Sequence, residues 1–246
     1  MPSSNSKCVI LVPALGQPVP KCDSGLRTLE QRGYPVRRVG GFSAVDQGRN
    51  QMASEALHDG FAETMFIDTD VGFDADAVER LRSHNLPIVA GLYPQPASRS
   101  LACELLPGTA KVVFGEEGGL IEIKYAAAGF LYVRREAYEA IRDKLKLPLC
   151  NTRFGRGCWP FFQPCWIEEE GAGDRGQETA SGEAVHRVRH RYLTDDFAFC
   201  ERARQVGLKI MADTTVRLWR VGSYGFGWED AGRDPERFDT YHFHVE

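Results

Sequence analysis

The residues with the most chemical potential form one short stretch, Met65–Asp74, which reads MFIDTDVGFD. An apolar run ends there in Asp68-Thr69-Asp70. If the run is a strand, the two carboxylates sit at its carboxyl end, where open α/β sheets bind ligands. Two acids one residue apart can bracket a hard cation such as magnesium or manganese. Such ions prefer oxygen ligands and are commonly shared with substrate phosphates. A metal held there would neutralise a leaving diphosphate and act as a Lewis acid. The plain alternative is a solvated turn, where Asp is favoured anyway.

Two further polar groups stand out. In AVDQGRNQMASEA, Asp46, Arg49 and Asn50 fall at i, i+3 and i+4 and share one helix face, with Val45, Met52, Ala53 and Ala56 on the other. The polar trio is therefore expected to point away from the core, near a helix start. Arg suits a phosphate because its donors form a fork. A solvated Asp–Arg pair would look the same. In YLTDDFAFCERARQVG, Thr194 is placed to cap a helix with Asp195 and Asp196 in its first turn. Acids stabilise helix starts on their own account. They can also serve as a general base toward an acceptor hydroxyl.

The elements that must position these groups alternate in type. Cys8–Val12 reads as a buried strand stopped by Pro13, and Leu26–Gln31 as a helix stopped by Gly33. A strand follows at Pro35–Val39, then a helix from a Ser43 cap to about His58, with Gly60 after it. Thr64–Ile67 is a third strand, Asp74 caps a helix through Leu81, and Pro87–Leu92 is a fourth strand. This alternation predicts an α/β fold with a parallel sheet and helices on both faces. Several strands are expected over 101–133, then a helix over Glu136–Lys144. Residues 147–192 look irregular, and 168–187 are rich in Gly, Glu and Arg, a candidate mobile loop. A helix at Asp195–Gln205 and strands at Lys209–Ala212 and Val216–Trp219 follow.

This series resembles the GT-A-fold glycosyltransferases of the inverting, family-two-like kind: a strand, Pro13, an Arg49-Asn50 helix, Asp68-Thr69-Asp70, then Asp195-Asp196. The resemblance spans roughly residues 7–225 and implies one GT-A, Rossmann-like domain over 1–246. Its sheet would be mixed and mainly parallel. Residues 7–93 would form the nucleotide-sugar half, 94–225 the acceptor half and 226–246 a tail. It implies that Pro13 lies near the nucleobase and Asp46, Arg49 and Asn50 near the nucleotide. Asp68 and Asp70 would serve ribose, metal and diphosphate. Gly129 and Phe130, in YAAAGFLYVRREAYEAI, would border the acceptor site. Asp196 would be the catalytic base and Asp195 its helper. The implied donor is a UDP- or GDP-sugar, the implied cofactor a divalent cation (Mn or Mg), and the acceptor is unassigned.

One position departs from the family. Many relatives carry a His-x-Gly late in the chain, whose His can bind the metal. Here the segment is LWRVGSYGFGWED, with Arg220 at that place. Arg has no lone pair to give a metal, though it can pair with a diphosphate directly. His242 and His244 are more distant substitutes. Two other functions stay open. A nucleotidyltransferase would want a Gly-rich basic loop after the first strand, and VPALGQPVPK has one Gly there. A non-catalytic nucleotide-sugar binding module would tolerate the Arg220 change.

The remaining sequence sets bounds. Trp159, Phe161, Phe162 and Trp166 form an aromatic cluster that would either meet an acceptor, Trp159 first, or pack a lid. Trp228, Tyr241 and Phe243 are expected to tie down the tail. Seven scattered cysteines suggest neither a disulfide framework nor a zinc site, including Cys150, Cys158 and Cys165 with His186 and His190. They suggest a reducing, cytoplasmic setting. A net charge of −4 argues against a nucleic-acid surface. The MPSSNSKCVILVP start is too short in apolar residues for a signal peptide, and no run is long enough to span a bilayer. Oligomeric state has no signature.

Overall fold

The computed structural model of the chain describes residues 4–14, 16–95, 100–169, 189–222 and 239–245. A short 3-10 turn (Ser4–Lys7) leads into β1 (Cys8–Ala14). There follow α1 (Pro20–Gln31), β2 (Val36–Gly40), α2 (Val45–His58), β3 (Glu63–Ile67), β4 (Val71–Gly72), α3 (Asp76–Ser83) and β5 (Ile88–Gly91). Next come β6 (Cys103–Leu105), β7 (Lys111–Gly115), β8 (Leu120–Ala126), β9 (Phe130–Arg134) and α4 (Arg135–Lys144). The chain continues through β10 (Cys165–Glu169), β11 (Arg189–Leu193), α5 (Asp195–Gln205), β12 (Ile210–Asp213), β13 (Trp219–Arg220) and β14 (Thr240–His244).

Eight strands form one sheet in the order β2-β1-β3-β9-β5-β12-β8-β6. β1 runs parallel to β2 and β3, and β12 parallel to β5. β9 lies antiparallel between β3 and β5, while β8 is antiparallel to β12 and β6. Six strands thus share one direction and two oppose it, the mixed and mainly parallel α/β sheet expected.

The central strands β1, β3, β5 and β9 are buried on both faces because their apolar residues fill two cores by alternation. In β1, Cys8, Ile10 and Val12 face one core and Val9 and Leu11 the other. In β3, Met65 and Ile67 oppose Phe66 in the same way. Helices α1 and α3 cover the first face, and α2, α4 and α5 the second. The glycines expected after helices, Gly33 and Gly60, have left-handed φ (85° each), and so does Gly207 after α5 (86°).

Several local expectations need correction. Pro13 does not end β1, which runs on to Ala14. Its pairing with β3 stops at Leu11, so the missing N–H of Pro13 meets no ladder partner. Ser43 and Asp74 are not the caps: Ala44 precedes α2 and Ala75 precedes α3. Within 147–192, Cys165–Glu169 pairs with Arg189–Leu193 as an antiparallel ribbon, so the stretch is not irregular throughout. The 170–188 part of that expected loop, with His186, lies outside the described residues, as does Trp228. The tail is held by backbone pairing of β14 on β7, in which Tyr241 lies opposite Phe114 and Phe243 opposite Val112.

Candidate functional site

The site gathers at the carboxyl edge of the central strands. Asp68 follows β3 directly, and its N–H bonds the carbonyl of Gly129 (3.0 Å) at the start of the antiparallel β9. Tyr93 follows β5. Because β9 is antiparallel, its first residues meet the last residues of β3 and β5 at one edge. A cavity of about 400 Å³ opens there, lined by Arg49, Asp68, Tyr93, Thr194, Asp196 and Arg220 among others.

Arg49 is the buried hub. Its Nη2 donates to Asp68 Oδ1 (2.7 Å) and its Nη1 to Asp195 Oδ2. Burial opposes its charge, but the carboxylates of Asp68, Asp195 and Asp196 outweigh that and raise its pKa. The expected polar face of α2 therefore does not point away from the core. Arg49 is 4% and Asn50 7% exposed. The reason is that acids from two other elements draw Arg49 inward. Asn50 turns to the aromatic loop instead, where its Oδ1 accepts the N–H of Phe162 (2.6 Å). Val45, one residue before Asp46, lines the cavity, and Asp46 does not.

Asp195 and Asp196 divide the start of α5 between them. Asp195 is buried and bound to Arg49. Asp196 Oδ1 accepts the Thr194 hydroxyl (2.8 Å) and the Phe197 N–H (2.9 Å). Thr194 is therefore not the side-chain cap that was expected: it makes no such bond to the helix backbone and donates to Asp196 instead. Asp196 Oδ2 takes no hydrogen bond from a described residue, and the side chain lines the cavity. Burial raises the Asp196 pKa, helped by the charge of Asp195 and opposed by Arg49.

Arg220 completes the edge. β13 pairs with β4, placing Arg220 opposite Val71, and the Val221 N–H bonds the Asp70 carbonyl (2.9 Å). Arg220 Nη2 lies 2.7 Å from Asp70 Oδ2 and Nη1 3.8 Å from Asp68 Oδ2. Its guanidinium also lies over the Tyr93 ring, 5.5 Å from the centroid. Desolvation raises the Asp70 pKa, against the pull of Arg220.

The oxygens of Asp68 and Asp70 decide whether a divalent cation fits. Arg49 holds Asp68 Oδ1, while Asp68 Oδ2 and Asp70 Oδ2 face Arg220. The two acids bracket a guanidinium, so as arranged they do not present a vacant bracket to a metal. No group of three or more His, Cys, Asp and Glu suited to a metal occurs among the described residues. His242 faces Glu117 (3.9 Å) on the β14 ribbon.

The structure brings together Arg49, Asp68, Asp70, Asp195, Asp196, Gly129 and Arg220. Pro13 sits buried in β1 and Phe130 fully buried in β9, and neither lines the cavity. Trp159 is also elsewhere. Its N–H bonds Ser54 Oγ (2.9 Å), and its ring stacks on His58 with Arg142 over it. Phe161 and Phe162 are fully buried and pack the core. Tyr93 was not singled out in the sequence. Its Oη accepts the Gly129 N–H (3.0 Å), and its only sequence cue is its place just past an apolar strand.

No protein-family model matches the chain, and no curated protein matches at a significant level. Among solved structures the chain is similar to A197 from STIV (TM-score 0.50, 14% identity, 88% of this chain and 86% of that one). That likeness concerns the fold. Weaker ones are to a glycosyltransferase involved in glycosylation of the major capsid of PBCV-1 (TM-score 0.31, 11% identity, 54% and 61% covered) and to the inositol-1-phosphate CTP transferase from T. maritima (TM-score 0.32, 11% identity, 87% and 70% covered).

Proposed function

We propose that this chain is a glycosyltransferase that moves a sugar from a nucleotide-sugar donor to an acceptor hydroxyl with inversion. The carrying observation is one cavity whose wall holds Asp196 together with the guanidinium groups of Arg49 and Arg220. A base with one oxygen uncommitted and a raised pKa suits removal of a hydroxyl proton. The two cations suit the charge of a diphosphate. In the step, the acceptor oxygen bonds the anomeric carbon as the bond from that carbon to the phosphate oxygen breaks. The hydroxyl proton goes to Asp196, and the nucleoside diphosphate leaves with the electron pair. Positioning and electrostatics supply most of the rate. The sequence resemblance that names a UDP- or GDP-sugar donor supports the same reading.

The Asp196→Asn variant tests it. Transfer from a panel of nucleotide sugars should fall by roughly 10²-fold or more, the scale of a general base. Binding of the matching nucleoside diphosphate, read by calorimetry, should change little. Full turnover in the variant would remove Asp196 from the chemistry. Release of pyrophosphate in place of a nucleoside diphosphate would make the enzyme a nucleotidyltransferase. Nucleotide-sugar binding with no turnover at all would make it a binding module.

A further inference from the structure

We infer that Arg220 is the built-in counter-charge for the donor's diphosphate, in the place where a divalent cation would stand between Asp68 and Asp70. The inference rests on the glycosyltransferase reading and deepens it. Its first support is position. Arg220 meets both members of the acidic pair, at 2.7 Å on Asp70 and 3.8 Å on Asp68, and it also lines the cavity. A divalent ion bracketed by the same pair would have to displace it.

The second support is how the two arginines differ. Arg49 has both Nη atoms committed, to Asp68 and Asp195, and its side chain is 5% exposed. Arg220 has one close contact and one loose contact, and its side chain is 21% exposed. Of these two arginines it is the one free to turn toward a ligand. Its Nε is shielded and has no hydrogen-bond partner among the described residues, a feature it shares with Arg49 Nε. An unmet buried donor is unfavourable, so with its loose Nη1 contact besides, the bonding of this guanidinium is incomplete as it stands. The backbone around it is nonetheless fixed. The β13–β4 ribbon and the Val221–Asp70 bond hold Arg220 at the edge of the acidic turn, and the Tyr93 ring lies beneath it.

The third support concerns charge. Among the described residues, Asp68, Asp70 and Asp195 pair with Arg49 and Arg220, and Asp196 lines the same cavity, a formal charge of −2 with all six ionised. A diphosphate entering without a metal must take a guanidinium away from an acid. Asp70 is the acid that competes with it for Arg220. Removing the charge of Asp70 therefore releases Arg220 and makes the site less negative. In a metal-based site the same change would remove a ligand and weaken donor binding.

Calorimetry with uridine and guanosine diphosphates, in EDTA and in manganese, separates these cases. The wild-type protein should bind one of them in EDTA with an affinity that manganese changes little. Asp70→Asn should bind it in EDTA as tightly as wild type or more tightly. Arg220→Ala should bind it roughly tenfold or more weakly in EDTA. Manganese should restore much of that loss, since Asp68 and Asp70 are then open to the ion. Wild-type binding that needs manganese, together with loss of binding in Asp70→Asn, would overturn the inference and leave the donor reading standing. No binding of either nucleotide, with or without manganese, would overturn the donor reading itself. Circular dichroism of each variant confirms that a lost signal is not lost fold.

Discussion

At the residue scale, Gly129 is where the backbone and the chemistry press together. Its carbonyl holds the Asp68 N–H, and its own N–H donates to Tyr93 Oη. A Cβ there would stand 2.3 Å from Tyr93 Oη and 2.9 Å from Asp68 Oδ2. Both atoms belong to the wall that places Asp68 and Arg220. Gly129→Ala should therefore destabilise the fold by about 1–3 kcal/mol, the usual scale of overpacking, and weaken nucleotide binding with it. Tyr93→Phe alone leaves the buried Gly129 N–H without its acceptor, which is unfavourable by about 1–3 kcal/mol. In the double variant the worst contact is gone. Urea denaturation of the two single variants and the double should then give a combined loss smaller than the sum of the singles. Additive losses would mean that the Tyr93 hydroxyl is not what confines Gly129.

At the element scale, α2 joins two regions. Arg49 reaches the cavity from it, while Asn50 and Ser54 hold the backbone of the aromatic loop, at the N–H groups of Phe162 and Trp159. Phe162 stacks on Phe199 of α5 (4.6 Å, 11°). The loop thereby braces the helix of Arg49 against the helix of Asp195 and Asp196. Asn50→Ala should cost about 1–3 kcal/mol of stability, from the N–H left unmet, with nucleotide affinity nearly unchanged. A large loss of nucleotide affinity at full stability would instead make Asn50 a donor ligand. These elements were legible to unequal degrees. β1, β3 and β5 could be read because short apolar runs bounded by Pro, Gly or Asp mark buried strands. The acidic turn and the α5 pair could be read because they stand at the ends of such elements. The β13–β4 ribbon could not, since two residues per strand carry no periodicity. That ribbon seats Arg220 on Asp70, so the pairing was invisible although Arg220 itself was conspicuous. The inward turn of Arg49 was misread because helical spacing shows which residues share a face, not which distant acids that face will meet.

At the scale of the whole molecule, stability in acid depends on a second acidic centre outside the cavity lining. Asp213 ends β12 with its side chain fully buried. It receives Arg80 Nε (2.8 Å) and lies 2.6 Å from His84 Nε2, at the end of α3. It also receives the Thr215 N–H (2.9 Å) and hydroxyl (2.6 Å). One carboxylate thus ties a covering helix to the sheet and to the turn after β12. Burial pushes its pKa up, but these donors prevail and bring it from 3.8 down to about 2. A carboxyl with a depressed folded pKa adds stability that is complete above its unfolded value. That stability is lost as the pH falls through the folded value. For a group moved from 3.8 to about 2, linkage gives a contribution of about 2 kcal/mol. Asp213→Asn should therefore be less stable than wild type by that order at pH 7, with Arg80 deprived of its partner. The gap should narrow steadily between pH 5 and pH 2, where the wild-type carboxyl takes up its own proton. Urea titrations of both proteins across that range would measure it. A gap that stays constant with pH would show that packing, and not the charge of Asp213, holds α3 to the sheet.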